Sequence, residues 1–148
     1  MNHSDKTIVI TGANSGIGLE TARELARSGA TIVMACRDPA RGETARADIA
    51  ATVPGAKLEL PKLDRASLAE VRSSAALMLT QFPEVDVMIN NAGLLPFKRH
   101  RTIDGFEMQF GVNHLGPFLL TQLLMPALLA AGRPRVVNVS SMLHHIGK

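Results

Sequence analysis

Thr7-Ile8-Val9-Ile10-Thr11-Gly12-Ala13-Asn14-Ser15-Gly16-Ile17-Gly18 decides the fold of this 148-residue chain. A β-branched and aliphatic run ends in a glycine-rich turn, and a helix-forming stretch, Gly18 to Ser28, follows at once. In a strand–turn–helix of this kind the helix N-terminus presents unpaired N–H groups and partial positive charge, which suits a phosphate. Gly12 is placed to make the turn, Gly16 to let backbone approach a phosphate, and Gly18 to let helix and strand pack closely. The spacing is G-x-x-x-G-x-G, not G-x-G-x-x-G, and the Lys-Ser/Thr ending of a P-loop is missing. By itself the turn leaves two readings open, a nucleotide site or a tight βα connection.

Outward from this turn, strand and helix signals alternate. Short apolar runs at Thr7 to Ile10, Thr31 to Ala35, Leu58 to Leu60, Val85 to Ile89 and Arg135 to Val139 read as five buried strands. Helical stretches lie between them: Gly18 to Ser28, Pro39 to Ala51, Ser67 to Phe82, and roughly Gly105 to Ala131. Asp38 before Pro39 is an N-cap with proline at the first helical position, and Ser67 with Glu70 forms a capping box. Alternation of this kind predicts an α/β fold, a Rossmann-like parallel sheet flanked by helices, in one dinucleotide-binding domain over residues 1–148. Leu94 to Asp104 is the sizeable loop. Leu115 to Ala131 approaches bilayer length, but Gly116, Pro117, Gln122 and Pro126 interrupt it, so a buried helix is expected and no membrane span.

Composition narrows the function. Apolar residues make up 46% and charged ones 20%, enough to bury a core. Sixteen Lys and Arg against thirteen Asp and Glu give +3, dispersed except at Lys98 to Arg101. With no Trp or Tyr to stack bases, nucleic acid is not an expected partner. Cys36 alone forbids an internal disulfide and offers no metal-ligand pattern, which fits a reducing, cytoplasmic setting. The first residues have neither a basic n-region nor an apolar h-region, so no signal peptide is expected. Phenol chemistry has no residue to carry it.

Further motifs make the reading specific. Thr11-Gly12-x-x-x-Gly16-x-Gly18 is followed by Asn90-Asn91-Ala92-Gly93 after the fourth strand, then Asn113, then Asn138-Val139-Ser140-Ser141 after the fifth. In that order and context the chain resembles the short-chain dehydrogenase/reductase family, end to end. Ala35-Cys36-Arg37-Asp38, Leu63-Asp64-Arg65-Ala66-Ser67 and the stretch from Thr102 to Gly116 look like the branch containing retinol dehydrogenases. The resemblance implies hydride transfer between a nicotinamide dinucleotide and an alcohol or ketone, hydrophobic by branch, and leaves a homo-oligomer open. It also implies a cofactor site at Gly12, Asn14, Ser15, Gly16, Ile17, Gly18, Arg37, Asp64, Asn90, Asn91, Ala92 and Gly93, with Ser141 and Asn113 as catalytic residues. Asp64 would bond the adenine, with capping of the next helix as its other reading.

The second strand's end bears on cofactor choice. An acid there accepts hydrogen bonds from the ribose and selects NAD, while an arginine pairs with the 2′-phosphate of NADP. The family's acid position holds Cys36, Arg37 follows, and Asp38 has a capping role, so NADP is preferred and NAD remains possible. In the family a tyrosine, its pKa lowered by a lysine, takes the alcohol proton while a serine orients the substrate oxygen. No Tyr-x-x-x-Lys pair follows Ser141. His144 and Lys148 imitate its spacing, but they follow the serine at once with Gly147 between, and are read as loop residues. The sheet and the pair are thus expected to be cut after the fifth strand. The alternative reading is a non-catalytic dinucleotide-binding or interaction fragment.

Overall fold

The computed structural model describes residues 3–142; His144, His145 and Lys148 lie outside the described residues. Five strands, β1 (Thr7–Thr11), β2 (Thr31–Ala35), β3 (Lys57–Glu59), β4 (Val87–Asn90) and β5 (Arg135–Asn138), form one parallel sheet in the order β3-β2-β1-β4-β5. The chain runs outward from β1 to β3, then crosses back to place β4 on β1's other side. That reversal opens a crevice beyond the carboxyl ends of β1 and β4, where open α/β sheets take their ligands.

Period-two alternation builds a core on each face. Ile8, Ile10, Ile32 and Met34 point one way, into a cluster with Ala22 and Ala26 of α1 (Gly16–Arg27) and Ala45 and Ile49 of α2 (Pro39–Thr52). Val9, Val33 and Met88 point the other way, against Val71 and Met78 of α3 (Leu68–Gln81) and Leu120, Leu124 and Leu128 of α5 (Gly116–Ala130). The layers are therefore helix, sheet, helix.

The caps are partly as the sequence indicates. Asp38 accepts from the amides of Ala40 and Arg41 at 3.0 and 3.2 Å, and Ser67 accepts from the Glu70 amide at 3.3 Å. The reciprocal half of the capping box does not form, because the Glu70 carboxylate pairs with Lys62 at 3.3 Å instead.

Two further expectations need correction. β3 and β5 are not buried strands: they occupy the two edges, and Val136 and Val137 keep 42% and 43% of their surface exposed. An aliphatic run has the same pattern at an edge as at the centre, so the sequence cannot separate the two. The helix expected over roughly Gly105 to Ala131 begins only at Met108, as a short α4 (Met108–Phe110) capped by Glu107. It passes through a π-helical turn, Gly111–Leu115, before continuing as α5. Met108–Ala130 is long and apolar enough to cross a bilayer by length and composition, while the Leu120, Leu124 and Leu128 stripe is spent on the core.

Leu124 of α5 is fully buried in the cluster it shares with residues of α3 and β4. Leu124→Ala should lower unfolding free energy by about 2–5 kcal/mol in urea denaturation, as cavity-forming leucine truncations do. A loss well under about 1 kcal/mol would contradict this packing.

Candidate functional site

The turn after β1 is closed against the turn after β4. Thr11 Oγ1 accepts the amides of Asn91 and Ala92, each at 3.1 Å, and the Asn91 side-chain amide donates back to Thr11 O at 3.0 Å. The contact leaves no room for side chains. A Cβ on Gly12, whose φ is +68°, would lie 2.6 Å from Ala92 Cβ, and one on Gly18 would lie 2.4 Å from Asn91 Nδ2. Gly16 differs: its φ is +55°, and a Cβ there would have no neighbour within 4 Å.

A cleft of about 380 Å³ opens over this junction, bordered by the first turn, the end of β2, the segment Leu63 to Arg65 after β3, and the β4 turn. Of the residues expected to hold a dinucleotide, Gly12, Asn14, Ser15, Ile17, Gly18, Arg37, Asp64, Asn91, Ala92 and Gly93 line it. Gly16 belongs to the same turn without lining the cleft, and Asn90 faces a second cleft. Asp64 accepts from the Ala66 amide at 2.9 Å, stiffening the entry to α3, whose N-cap is Ser67. The cradle at Gly12 and Gly18, the N-terminus of α1 and two cations, Arg37 and Arg41, suit a dinucleotide carrying several phosphates.

Beneath the turn, Cys36 is 2% exposed. Burial pushes its thiol from the ordinary 9.0 up to about 11, the Ala13 and Asn14 backbone N–H groups opposing weakly. Arg65 is also desolvated: burial lowers its pKa to about 10, with nearby Arg37 acting in the same direction and Asp64 against it. Its Nη1 donates to Ala92 O at 2.6 Å and Val112 O at 2.9 Å.

Asn113 sits in the π turn and grips the loop after β4 at two points. Its Oδ1 accepts from Leu94 N at 2.9 Å, and its Nδ2 donates to Leu94 O at 2.8 Å. Asn113 and Ser141 line the second cleft, of about 970 Å³, together with Asn138, His114 and Phe118. Asn90, 8% exposed, donates to Thr121 Oγ1 at 3.1 Å and Asn138 Oδ1 at 2.9 Å, and its own buried Oδ1 has no partner among the described residues. The strip from Asn91 to Leu94 borders both clefts.

A short chain dehydrogenase family model matches residues 6–147. The chain belongs to this family. Among curated members, retinol dehydrogenase 12 of Mus musculus is 48% identical over 143 residues, covering 97% of this chain and 45% of that protein. The chain thus spans about half the length of the curated relatives it matches. Among solved structures of the family, a metagenomic short-chain oxidoreductase in complex with NADP superposes with a TM-score of 0.81 at 29% identity, covering 95% of this chain and 63% of that one. Menthone neomenthol reductase from Mentha piperita gives 0.79 at 28%, covering 93% and 61%.

The site also takes in Thr11, Arg65 and Val112, which stand within the sequence motifs without an assigned role, and Arg41, which stands outside them. Thr11 had a visible signal, standing first in the Thr-Gly turn. So did Arg41, which the Asp38–Pro39 start places in the first turn of α2. Arg65 and Val112 lie 47 residues apart and nothing local joins them.

The Cys36 thiol should resist iodoacetamide at pH 7.5, with alkylation accelerating only as pH nears 11, followed by mass spectrometry. Its folded pKa lies above its unfolded one, so its contribution to stability is complete below about pH 9 and is lost as pH rises through about 11. Rapid labelling of folded protein at pH 7.5 would contradict the burial.

Proposed function

We propose that this chain binds NADP(H) in the first cleft and forms the dinucleotide-binding part of an oxidoreductase acting on apolar alcohols or ketones. The bound dinucleotide would supply or accept the hydride. The observation that carries the reading is the cation pair at the cleft's far end: Arg37 and Arg41 line it, the position of the family's NAD-selecting acid holds buried Cys36, and both Asp38 contacts are spent on α2. Asp38 Oδ1 already takes two helix amides, while Arg37 and Arg41 offer two guanidinium groups that suit a 2′-phosphate. The NADP held by a related short-chain oxidoreductase supports the same choice.

In this reading the Gly12–Gly18 turn receives the pyrophosphate and Asp64 lies at the adenine end. Asn91, Ala92 and Gly93 form the wall shared with the substrate side. Ser141 would orient the substrate oxygen and Asn113 would hold the loop against which the substrate stands. An apolar substrate is supported by the retinol in the names of the relatives and by Phe118 and Leu95 beside the second cleft. The chain contains no tyrosine, so among these 148 residues the family's phenolic proton acceptor has no counterpart.

Fluorescence titration of NADPH and NADH tests the choice of cofactor. Arg37→Ala should weaken NADPH binding roughly 10- to 100-fold, the loss of a charge-assisted hydrogen bond, and leave NADH nearly unchanged. Arg41→Ala should act in the same direction. An unchanged ratio of the two affinities in both variants would overturn the assignment.

A further inference from the structure

Arg65 is a half-buried cation that forms no ion pair among the described residues; it spends one nitrogen on two carbonyls from separate parts of the site. One of them, Val112 O, needs a donor from outside its own helix. In an α-helix it would take the N–H of Gly116, but that N–H bonds to Gly111 O in the i to i−5 pattern of the π turn. The next residue, Pro117, has no N–H to give. Val112 is 5% exposed, so without Arg65 its carbonyl would be buried and unsatisfied. Gly116 lets the arginine in: a Cβ there would stand 2.9 Å from Arg65 Cβ and 3.1 Å from Arg65 O. Pro117 therefore creates the vacancy, Gly116 admits the neighbour, and Arg65 supplies the missing donor.

The second carbonyl gives this repair its consequence. Ala92 O shares Nη1 with Val112 O, the Ala92 amide is held by Thr11, and the residue after Val112 is Asn113, whose side chain closes on Leu94. An unbroken bond path thus joins the end of β1 to the π turn. We propose that Arg65 is a positioning residue, a guanidinium strap that locks the Asn113-bearing π turn against the turn after β4, so that the two clefts hold a fixed relation. Desolvation fits this use: an arginine kept as a rigid donor fork needs no carboxylate to fix its direction. The proposal deepens the dinucleotide reading and rests on it only for the effect on cofactor affinity.

Amide hydrogen exchange, thermal melting and NADPH titration on wild type, R65L, R65K, P117A and R65L/P117A separate the possibilities. R65L should raise exchange roughly tenfold or more in residues 92–95 and 111–116 while leaving α2 unchanged, and should weaken NADPH about tenfold. R65K should recover most of both. The melting-temperature loss from R65L should shrink in the P117A background, where the helix can return to α register and Gly116 N–H can reach Val112 O. Wild-type exchange in both segments of R65L, with melting losses that add independently of Pro117, would overturn the strap. If wild type fails to bind NADPH, the functional reading falls while exchange and melting still decide the strap. Should R65L not fold, NMR of wild type decides it: slowly exchanging, resolved Arg65 Nη1 protons are expected, and freely averaged ones would overturn it.

Discussion

The closure of the β1 turn onto the β4 turn is the constraint from which the rest of the site follows. Thr11, Gly12 and Gly18 meet Asn91 and Ala92 at distances that admit no further carbon. Parallel strands bring these two chain segments together because β4 pairs with β1 only after the crossover, and both strands end at the same edge. The glycines are then a steric necessity at the junction. The N-terminus of α1 borders the opening, where the first amides of a helix have no partner within the helix and can meet a ligand.

Charge is distributed around that opening in a consistent way. The acids nearest the cleft are committed to backbone: Asp38 to the amides of α2, Asp64 to Ala66. The cations are not so committed, apart from Arg65, which is turned inward onto carbonyls. Arg37, Arg41 and Arg65 outnumber Asp38 and Asp64 along the cleft, so its lining is net positive whatever the modest charge of the whole chain.

Much of this was legible in the sequence because it is local. The strand–turn–helix at Thr7 to Gly18, the Asp38–Pro39 start and the alternation of Ile8, Val9 and Ile10 each rest on residues within one turn or strand of one another, and period and capping rules reach that far. What was not legible depends on partners distant in the chain. Burial of β3 and β5 depends on whether another element covers them. The diversion of Glu70 to Lys62 depends on where β3 ends relative to α3. The π turn needed Pro117 to be weighed for the carbonyls upstream of it, not only as an interruption of an apolar run.

Pro117 bears on how the site is built. A regular α-helix through Asn113 would satisfy Val112 O from within and leave Arg65 with no carbonyl to bind on that side. The π register instead leaves a helix carbonyl wanting a donor at the one place where the helix passes the β4 turn, and so turns a helix irregularity into a tertiary bond. The strip from Asn91 to Leu94 is then held from three directions: by Thr11 below, Arg65 at the side and Asn113 above. Because that strip is the common wall of both clefts, any group spanning them meets a surface whose position is set by hydrogen bonds rather than by soft packing. Hydride transfer is steeply sensitive to misplacement on the scale of about 1 Å, so a common wall fixed in this manner is the physical requirement that the proposed chemistry places on the fold.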